Sequence, residues 1–348
     1  MSIYSKPMYT REQVNAAGRK LVSGDPDLPT YMPIIENWRA AHSHPLNSFY
    51  VTLQRRAKKV SRLSNTVQRI KRLESISAKL SVKDSMKLSQ MQDIAGCRAI
   101  MPTLGTVSRL VELYRTSQTV HRFNGEKDYI SEPKDTGYRG IHLKYSVGGE
   151  NPDNPYFGLK VELQIRTQLQ HQWATAVEAA ETFTGQALKS NMGQQAWLRF
   201  FALMSSVFAL REGQPTVPGT PSNQEDLFKE IVELDRANHI EATFSGYQAI
   251  LPKVERRRNS KYFVVRLDPV GRRVSVRGFS GSESTEANRL YTALENEIPA
   301  DSPTRIVLVS ASSISALRRA YPNYFLDTTT FLQEVVKIIR PDRQGALF

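Results

Sequence analysis

Apolar residues recur at steps of three and four through Leu53, Ala57, Val60, Leu63, Val67, Ile70 and Leu73. That spacing predicts a helical stretch from Tyr31 to about Lys79, with Arg55, Lys58, Lys59 and Arg62 largely off the apolar stripe. The pattern then changes. SQMQDIAGCRAIMP predicts a short buried strand closed by Pro102. Asp93 and Arg98 have opposite parity there, so either Gly96 marks a bulge or Asp93 lies just outside the strand. Residues 105–121 read as a helix, with Val107, Leu110, Val111 and Tyr114 on one side. Pro133–Gly137 reads as a turn. The strand after it sets Tyr138, Gly140, His142 and Lys144 on one face and Ile141, Leu143 and Tyr145 on the other. In LKVELQIRT, Val161, Leu163 and Ile165 alternate with Glu162, Gln164 and Arg166, a polar platform backed by a buried face. Helices follow over QLQHQWATAVEAAETF, which Thr167 is placed to cap, and over Met192–Arg211.

EGQPTVPGTPSNQED has three prolines and no periodicity, and reads as a linker. Beyond it the pattern predicts a β-hairpin around Asp268-Pro-Val-Gly, a helix over 283–297, the strand RIVLVSAS, a Ser-capped helix SSISALRRA, and a last helix capped by Asp327. The expected organisation is a domain at 1–211, a linker at 212–224 and a second domain at 225–348. The fold class is α/β, a mixed β-sheet flanked by helices, with a smaller α+β unit after it.

Composition narrows the partner more than the fold. The 348 residues carry a net charge of +13, which favours an anionic partner such as nucleotide, RNA or DNA. For Arg55, Lys58, Lys59 and Arg62, a solvated basic face and a phosphate contact remain alternatives. Cys97 is the single cysteine, so no disulfide framework or all-cysteine metal cluster is expected. The N-terminal stretch has no apolar signal region, and no window approaches the roughly 18 apolar residues of a membrane span, so a cytoplasmic protein is expected.

Generic phosphate and hydrolase signatures are absent: no Walker loop, no HExxH, no GxGxxG and no nucleophile elbow. A site for ATP and a divalent metal can still be assembled from dispersed residues. Such a site needs cations for the phosphates, a hydroxyl or backbone donors, at least one carboxylate for the metal and a surface for the base. Arg69, Lys71, Ser75 and Lys79 supply cations and a hydroxyl, in a run with eight basic residues and no acid from Arg55 to Arg72. Asp93 and Glu162 are carboxylates in apolar strands and need a cation or a metal as partner. Tyr138 is suited to stacking on a base.

Together these residues resemble the RelA/SpoT-type nucleotide pyrophosphokinases. The resemblance runs over Arg69-x-Lys71-x-x-x-Ser75-Ile-x-x-Lys79, Asp93-x-x-Gly-x-Arg98, Lys127-Asp-Tyr-Ile-x-x-Pro133-Lys134-x-x-Gly137-Tyr138-Arg139-Gly-Ile-His142 and Glu162-Leu-Gln164-Ile-Arg166-Thr167, within roughly residues 50–210. It implies that Arg69 and Arg98 sandwich the donor adenine, and that Lys71, Ser75, Lys79 and Lys127 contact the triphosphate. It also implies Asp93 and Glu162 as catalytic residues and Mg2+ ligands, Tyr138 as the acceptor-base stacker, and His142, Gln164 and Arg166 as acceptor or phosphate contacts. The implied reaction moves the β,γ-pyrophosphate of ATP to a ribose 3′-hydroxyl.

Within that family the wording around Tyr138 and Asp93, and the second domain, are most similar to the CapRel type, a small synthetase fused to an antitoxin. That resemblance implies the tRNA 3′ end as acceptor, a metal-free pseudo-zinc-finger C-terminal unit, and a phage structural protein such as the major capsid protein as trigger. Tyr321-Pro-Asn-Tyr324 matches the neutralising Tyr-x-x-Tyr element, which would set Tyr321 or Tyr324 in the adenine slot. Two alternatives stand beside it: a synthetase acting on free guanosine or adenosine nucleotides, and a catalytically dead sensor.

Overall fold

The protein is described by a computed structural model covering residues 4–82, 85–184, 195–241, 253–254, 260–268, 273–299, 304–310 and 328–340. The N-terminal part begins with three helices, α1 (Arg11–Ser23), α2 (Leu28–Ala41) and α3 (Ser43–Val60). Strand β1 (Asn65–Ile70), α4 (Leu73–Val82), β2 (Ala95–Met101), α5 (Leu104–Arg115), β3 (Arg122–Asp128), β4 (Ile141–Ser146) and β5 (Lys160–Thr167) follow. Then come α6 (Gln168–Thr184), α7 (Gln195–Arg211) and α8 (Gln224–Asn238). The C-terminal part supplies β6 (Lys253–Val254), β7 (Tyr262–Asp268), β8 (Arg273–Phe279), a helix at Ser284–Asn296, β9 (Arg305–Ser310) and a helix at Thr329–Ile339.

The strands form one mixed sheet in the order β3-β4-β5-β2-β1-β9-β7-β8-β6. The β2–β5 pair is parallel, whereas β4 runs antiparallel to β5 and β1 antiparallel to β2. β9 of the C-terminal part pairs with β1, Gln68 opposite Ser310 and Arg69 opposite Val309, so the ladder crosses the expected domain boundary. One face of β2, β4 and β5 presents Ala95, Cys97, Ala99, Leu143, Val161, Leu163 and Ile165 to a core shared with α1–α5. The opposite face is the polar one. A second core joins Trp173, Val177, Phe200 and Phe208 of α6 and α7 to Leu227 and Ile231 of α8 and to Phe331, Leu332, Val335 and Ile338. The helix Ser284–Asn296 packs on the C-terminal strands through Ala287 and Tyr291.

The structure departs from the sequence expectation in four places. The long predicted helix ends at Val60, and Asn65–Ile70 is a strand. Val67 and Ile70 fit a three-residue step, but Thr66, Val67 and Ile70 are β-branched residues that suit a pleated surface, and β2 offers the segment a complete ladder. The helix after Pro102 stops at Arg115, and Arg122–Asp128 forms β3. As an edge strand with mostly exposed side chains, β3 lacks the apolar alternation that announces a strand. Tyr138 lies ahead of β4 rather than in it, because Gly137 and Gly140 take positive φ of 88° and 151°. The last helix has Thr328 at its N-cap position, and Asp327, the expected cap, lies outside the described residues. Asp93 falls just outside β2, one of the two arrangements its parity allowed.

Gly137 also shows why that turn needs a glycine. A Cβ there would stand 2.8 Å from Trp173 Cζ2 and 3.0 Å from Ser205 Cβ, at a φ that side chains disfavour. Gly137→Ala is expected to cost about 2–4 kcal/mol of unfolding free energy, measurable by denaturant titration.

Candidate active site

β1, β2, β4 and β5 bring the sequence-predicted residues together on the polar face. Lys144 is opposite Glu162, Glu162 opposite Gly96, and Gly96 opposite Arg69. One step along the strands, Lys127 is opposite His142, His142 opposite Gln164, and Gln164 opposite Arg98. Arg69 and Arg98 are therefore diagonal neighbours on β1 and β2. Such neighbours have backbones about 7–8 Å apart, within reach of each other's long side chains. Gly96 adds no side chain to the floor between Arg69 and Glu162.

Asp93 organises the donor end. Its Oδ2 accepts a hydrogen bond from Lys71 Nζ and its Oδ1 one from Lys79 Nζ, each at 2.9 Å. Lys71 leaves β1 and Lys79 comes from the last turn of α4, so one carboxylate ties two elements to the start of β2. Burial alone would raise the Asp93 carboxyl; the charges of Lys71 and Lys79, with their hydrogen bonds, outweigh it and hold the group well below the ordinary carboxylate range. Burial lowers Lys71 in turn, an effect only partly offset by Asp93. Ser75 lies on the same helix as Lys79.

At the other end a chain of hydrogen bonds holds Glu162, which is 7% exposed. Tyr138 Oη meets His142 Nε2 at 2.6 Å, and His142 Nδ1 meets Glu162 Oε1 at 3.1 Å. A neutral imidazole protonated on Nδ1 satisfies both contacts, donating to the carboxylate and accepting from the phenol. Gln164 Nε2 donates to Glu162 Oε2 at 3.0 Å. Burial pushes Glu162 up, but the bonds from His142 and Gln164 hold it lower overall. Burial raises the Tyr138 phenol. Arg166 is 3% exposed, contacts His171 Nδ1, and has no hydrogen-bond partner for Nε among the described residues. Burial and then repulsion from Arg98 pull its guanidinium down to about 9, with Arg69 adding to the effect. Arg98 and Arg69 thus lie near enough to repel Arg166, which concentrates positive charge on this sheet face.

Lys127 is on this row but at the exposed edge strand. Two neighbouring groups carried no role in the sequence reading. Tyr129 stands edge-on to Tyr138 and His142, and Lys134 Nζ lies 4.4 Å from the Tyr129 ring centroid and 5.4 Å from that of Tyr138. Both fall inside the quoted Lys127–His142 motif, which was the available signal. The basic residues Arg55, Lys58 and Lys59 are exposed on α3, which packs against the opposite face of the sheet, where Cys97 Sγ contacts Leu46 O. They do not line this cleft. Tyr321 and Tyr324 lie outside the described residues.

Residues 68–186 match the family model described as the region found in RelA/SpoT proteins. Among curated proteins, the chain is 34% identical over 119 residues to GTP pyrophosphokinase YwaC of Bacillus subtilis, a match covering 32% of this chain and 55% of that protein. It is 34% identical over 96 residues to GTP pyrophosphokinase YjbM of the same organism, covering 26% and 41%. The chain thus spans about half the length of these relatives. Among solved structures, small alarmone synthetase 2 of Bacillus subtilis aligns with a TM-score of 0.42 and 23% identity, over 51% of this chain and 93% of that one. Small alarmone synthetase 1 aligns at 0.40 and 22%, over 49% and 89%. Residues 68–186 are thus similar to the region found in RelA/SpoT proteins.

The Lys71–Asp93–Lys79 cluster sets a stability expectation. Asp93→Asn leaves two cations against a neutral amide and is expected to cost about 2–3 kcal/mol at neutral pH. Because the Asp93 carboxyl is depressed in the folded protein, the native advantage is complete above the unfolded value of about 3.9 and disappears as pH falls through the lower folded value. Denaturant titrations of the native chain and the Asn variant across that range should converge at the acid end.

Proposed function

We propose that the chain is an ATP-dependent pyrophosphokinase. The observation that carries this reading is the diagonal placement of Arg69 and Arg98 beside the Asp93 carboxylate clasped by Lys71 and Lys79. A purine between the two guanidiniums directs the triphosphate of ATP toward the lysines, Ser75 and Lys127. The acceptor 3′-oxygen attacks the β-phosphorus, the bond from that phosphorus to the α,β-bridging oxygen breaks, and AMP leaves with that oxygen. Glu162 takes the hydroxyl proton, held in position by His142 and Gln164. Tyr138, with Tyr129 and Lys134 against it, fits an acceptor base, and Arg166 the acceptor's phosphates. Positioning and cationic stabilisation of the transferring group supply the rate enhancement, with no covalent enzyme intermediate.

Magnesium fits the donor set. Asp93 and Glu162 offer hard oxygen ligands close enough that the charge of one raises the pKa of the other. No cluster of three His, Cys, Asp or Glu ligands is present among the described residues, which suits an ion that takes its remaining ligands from phosphate and water. When bound, Mg2+ would neutralise charge developing on the phosphoryl oxygens.

The acceptor we infer is the 3′ end of tRNA. The net charge of +13 supports it, and the exposed basic end of α3, remote from the cleft, would meet the body of such a ligand rather than its reacting end. The second reading, transfer to free GDP or GTP, is favoured by the curated relatives named as GTP pyrophosphokinases. We further infer that the C-terminal part restrains the enzyme through Tyr321 or Tyr324 and is released by a phage structural protein. Incubation of the chain, with and without a Tyr324 change that relieves the restraint, with γ-labelled ATP and tRNA, GDP, GTP or ATP separates the acceptors: label on tRNA is expected, and label confined to free nucleotides would establish the second reading. Glu162→Gln should lower turnover by at least about a hundredfold. Tyr321→Ala or Tyr324→Ala should make expression toxic without a trigger, with the toxicity lost when Glu162→Gln is added. Harmless tyrosine variants of an active enzyme would sink the restraint.

A further inference from the structure

The segment that carries the phosphate-binding cations is not held by the N-terminal part alone. Lys71 and Leu73 bracket the turn between β1 and α4. Lys71 N–H donates to Ile94 O at 2.8 Å, which ties the turn to the approach of β2. Lys71 and Lys79 are also held by Asp93, and two further contacts connect the turn to the C-terminal part, one directly and one through Arg39. Arg39 of α2, 5% exposed, donates from Nε to Lys71 O at 3.2 Å. Its Nη1 donates to Glu295 Oε2 at 2.9 Å and its Nη2 to Tyr291 Oη at 2.7 Å. Glu295 Oε1 accepts from Tyr291 Oη at 2.6 Å and from the backbone N–H of Leu73 at 3.1 Å. The Arg39 guanidinium also lies 5.4 Å from the Tyr291 ring centroid.

We propose that Glu295, with Tyr291 and through Arg39, is a positioning residue for the ATP site, so that the C-terminal part completes the donor half of the enzyme. This rests on the pyrophosphokinase reading above. Leu73 is the first residue of α4, and its N–H is one of the donors that a helix start leaves without an intrahelical acceptor. Glu295 supplies that acceptor from more than 200 residues away in sequence, and its charge complements the helix N-terminus. The same carboxylate is the counter-charge of a buried arginine whose third nitrogen fixes the carbonyl of Lys71. Removing it leaves the guanidinium buried without its counter-charge and frees both ends of the turn at once. Neither Glu295 nor Tyr291 is on the polar face of the sheet: Tyr291 belongs to the core on the C-terminal strands, apart from the acceptor groups Tyr138, His142 and Glu162. The effect should therefore fall on ATP binding and spare the acceptor.

The test uses the full chain carrying Tyr321→Ala and Tyr324→Ala, so that the inferred restraint does not compete with the nucleotide, and equilibrium binding of a non-hydrolysable ATP analogue, followed by steady-state kinetics with the acceptor that the labelling assay returns. Glu295→Ala is expected to weaken the analogue about tenfold and raise KM for ATP to match, with kcat at saturating ATP within about twofold and KM for the acceptor unchanged. Glu295→Gln keeps an oxygen for Leu73 N–H and should recover part of the affinity. Tyr291→Phe should lose about two- to threefold. Unchanged analogue affinity in Glu295→Ala overturns the proposal. So does a loss in which kcat and both KM values shift together, or in which the folded fraction merely falls while the remainder binds normally. A Tyr321→Ala/Tyr324→Ala chain that binds no ATP analogue overturns the pyrophosphokinase reading and this proposal with it, and is seen before any Glu295 or Tyr291 variant is made.

Discussion

One carboxylate shared by two lysines is the interaction on which the donor half depends. Lys71 and Lys79 come from different elements, and each by itself would be an expensive cation to hold in a half-buried site. Asp93 neutralises most of that cost and draws the end of β1, α4 and the approach to β2 to one point. It also keeps the lysines from collapsing onto other acids. On the reading proposed above, an incoming triphosphate would exchange one anion for another, so the cations would not pass through an unpaired buried state, and the carboxylate they release would become available to a metal.

The sequence carried the acceptor side of the site more fully than the donor side. Alternation of Glu162, Gln164 and Arg166 with Val161, Leu163 and Ile165 determines which side chains share a face, because strand parity is a local property. His142 and Glu162 meet because β4 and β5 are adjacent and in register, and the two polar strand faces foretold that much. β1 was hidden because an apolar step of three or four satisfies a helix as well as it tolerates a strand; the choice was made by pairing with β2, a non-local event. β3 was hidden because an exposed edge strand has no buried face to reveal it. Arg39 gave no signal at all. In ENWRAA it reads as an ordinary helix-surface arginine, and its partners Tyr291 and Glu295 are 252 and 256 residues further along.

The manner in which the C-terminal part is joined bears on how it can exert control. It is held by a ladder between β9 and β1, by the buried Arg39–Glu295 pair, and by the packing of Phe331, Leu332, Val335 and Ile338 against α6, α7 and α8. Restraining an enzyme to about one per cent activity needs a bias of only about 3 kcal/mol. Swinging the whole C-terminal part away would re-expose those four side chains alone at about 1.5–3 kcal/mol each, before the ladder and the ion pair are counted. A trigger that acted by such a movement would spend most of its binding energy on unpacking, and would dismantle the Leu73 and Lys71 contacts at the turn between β1 and α4. Residues 311–327, which contain Tyr321 and Tyr324, connect β9 to the helix Thr329–Ile339, two elements that are each anchored in the body of the protein. On these magnitudes, a restraint of the kind inferred above would have to be released without parting those packed side chains from α6, α7 and α8.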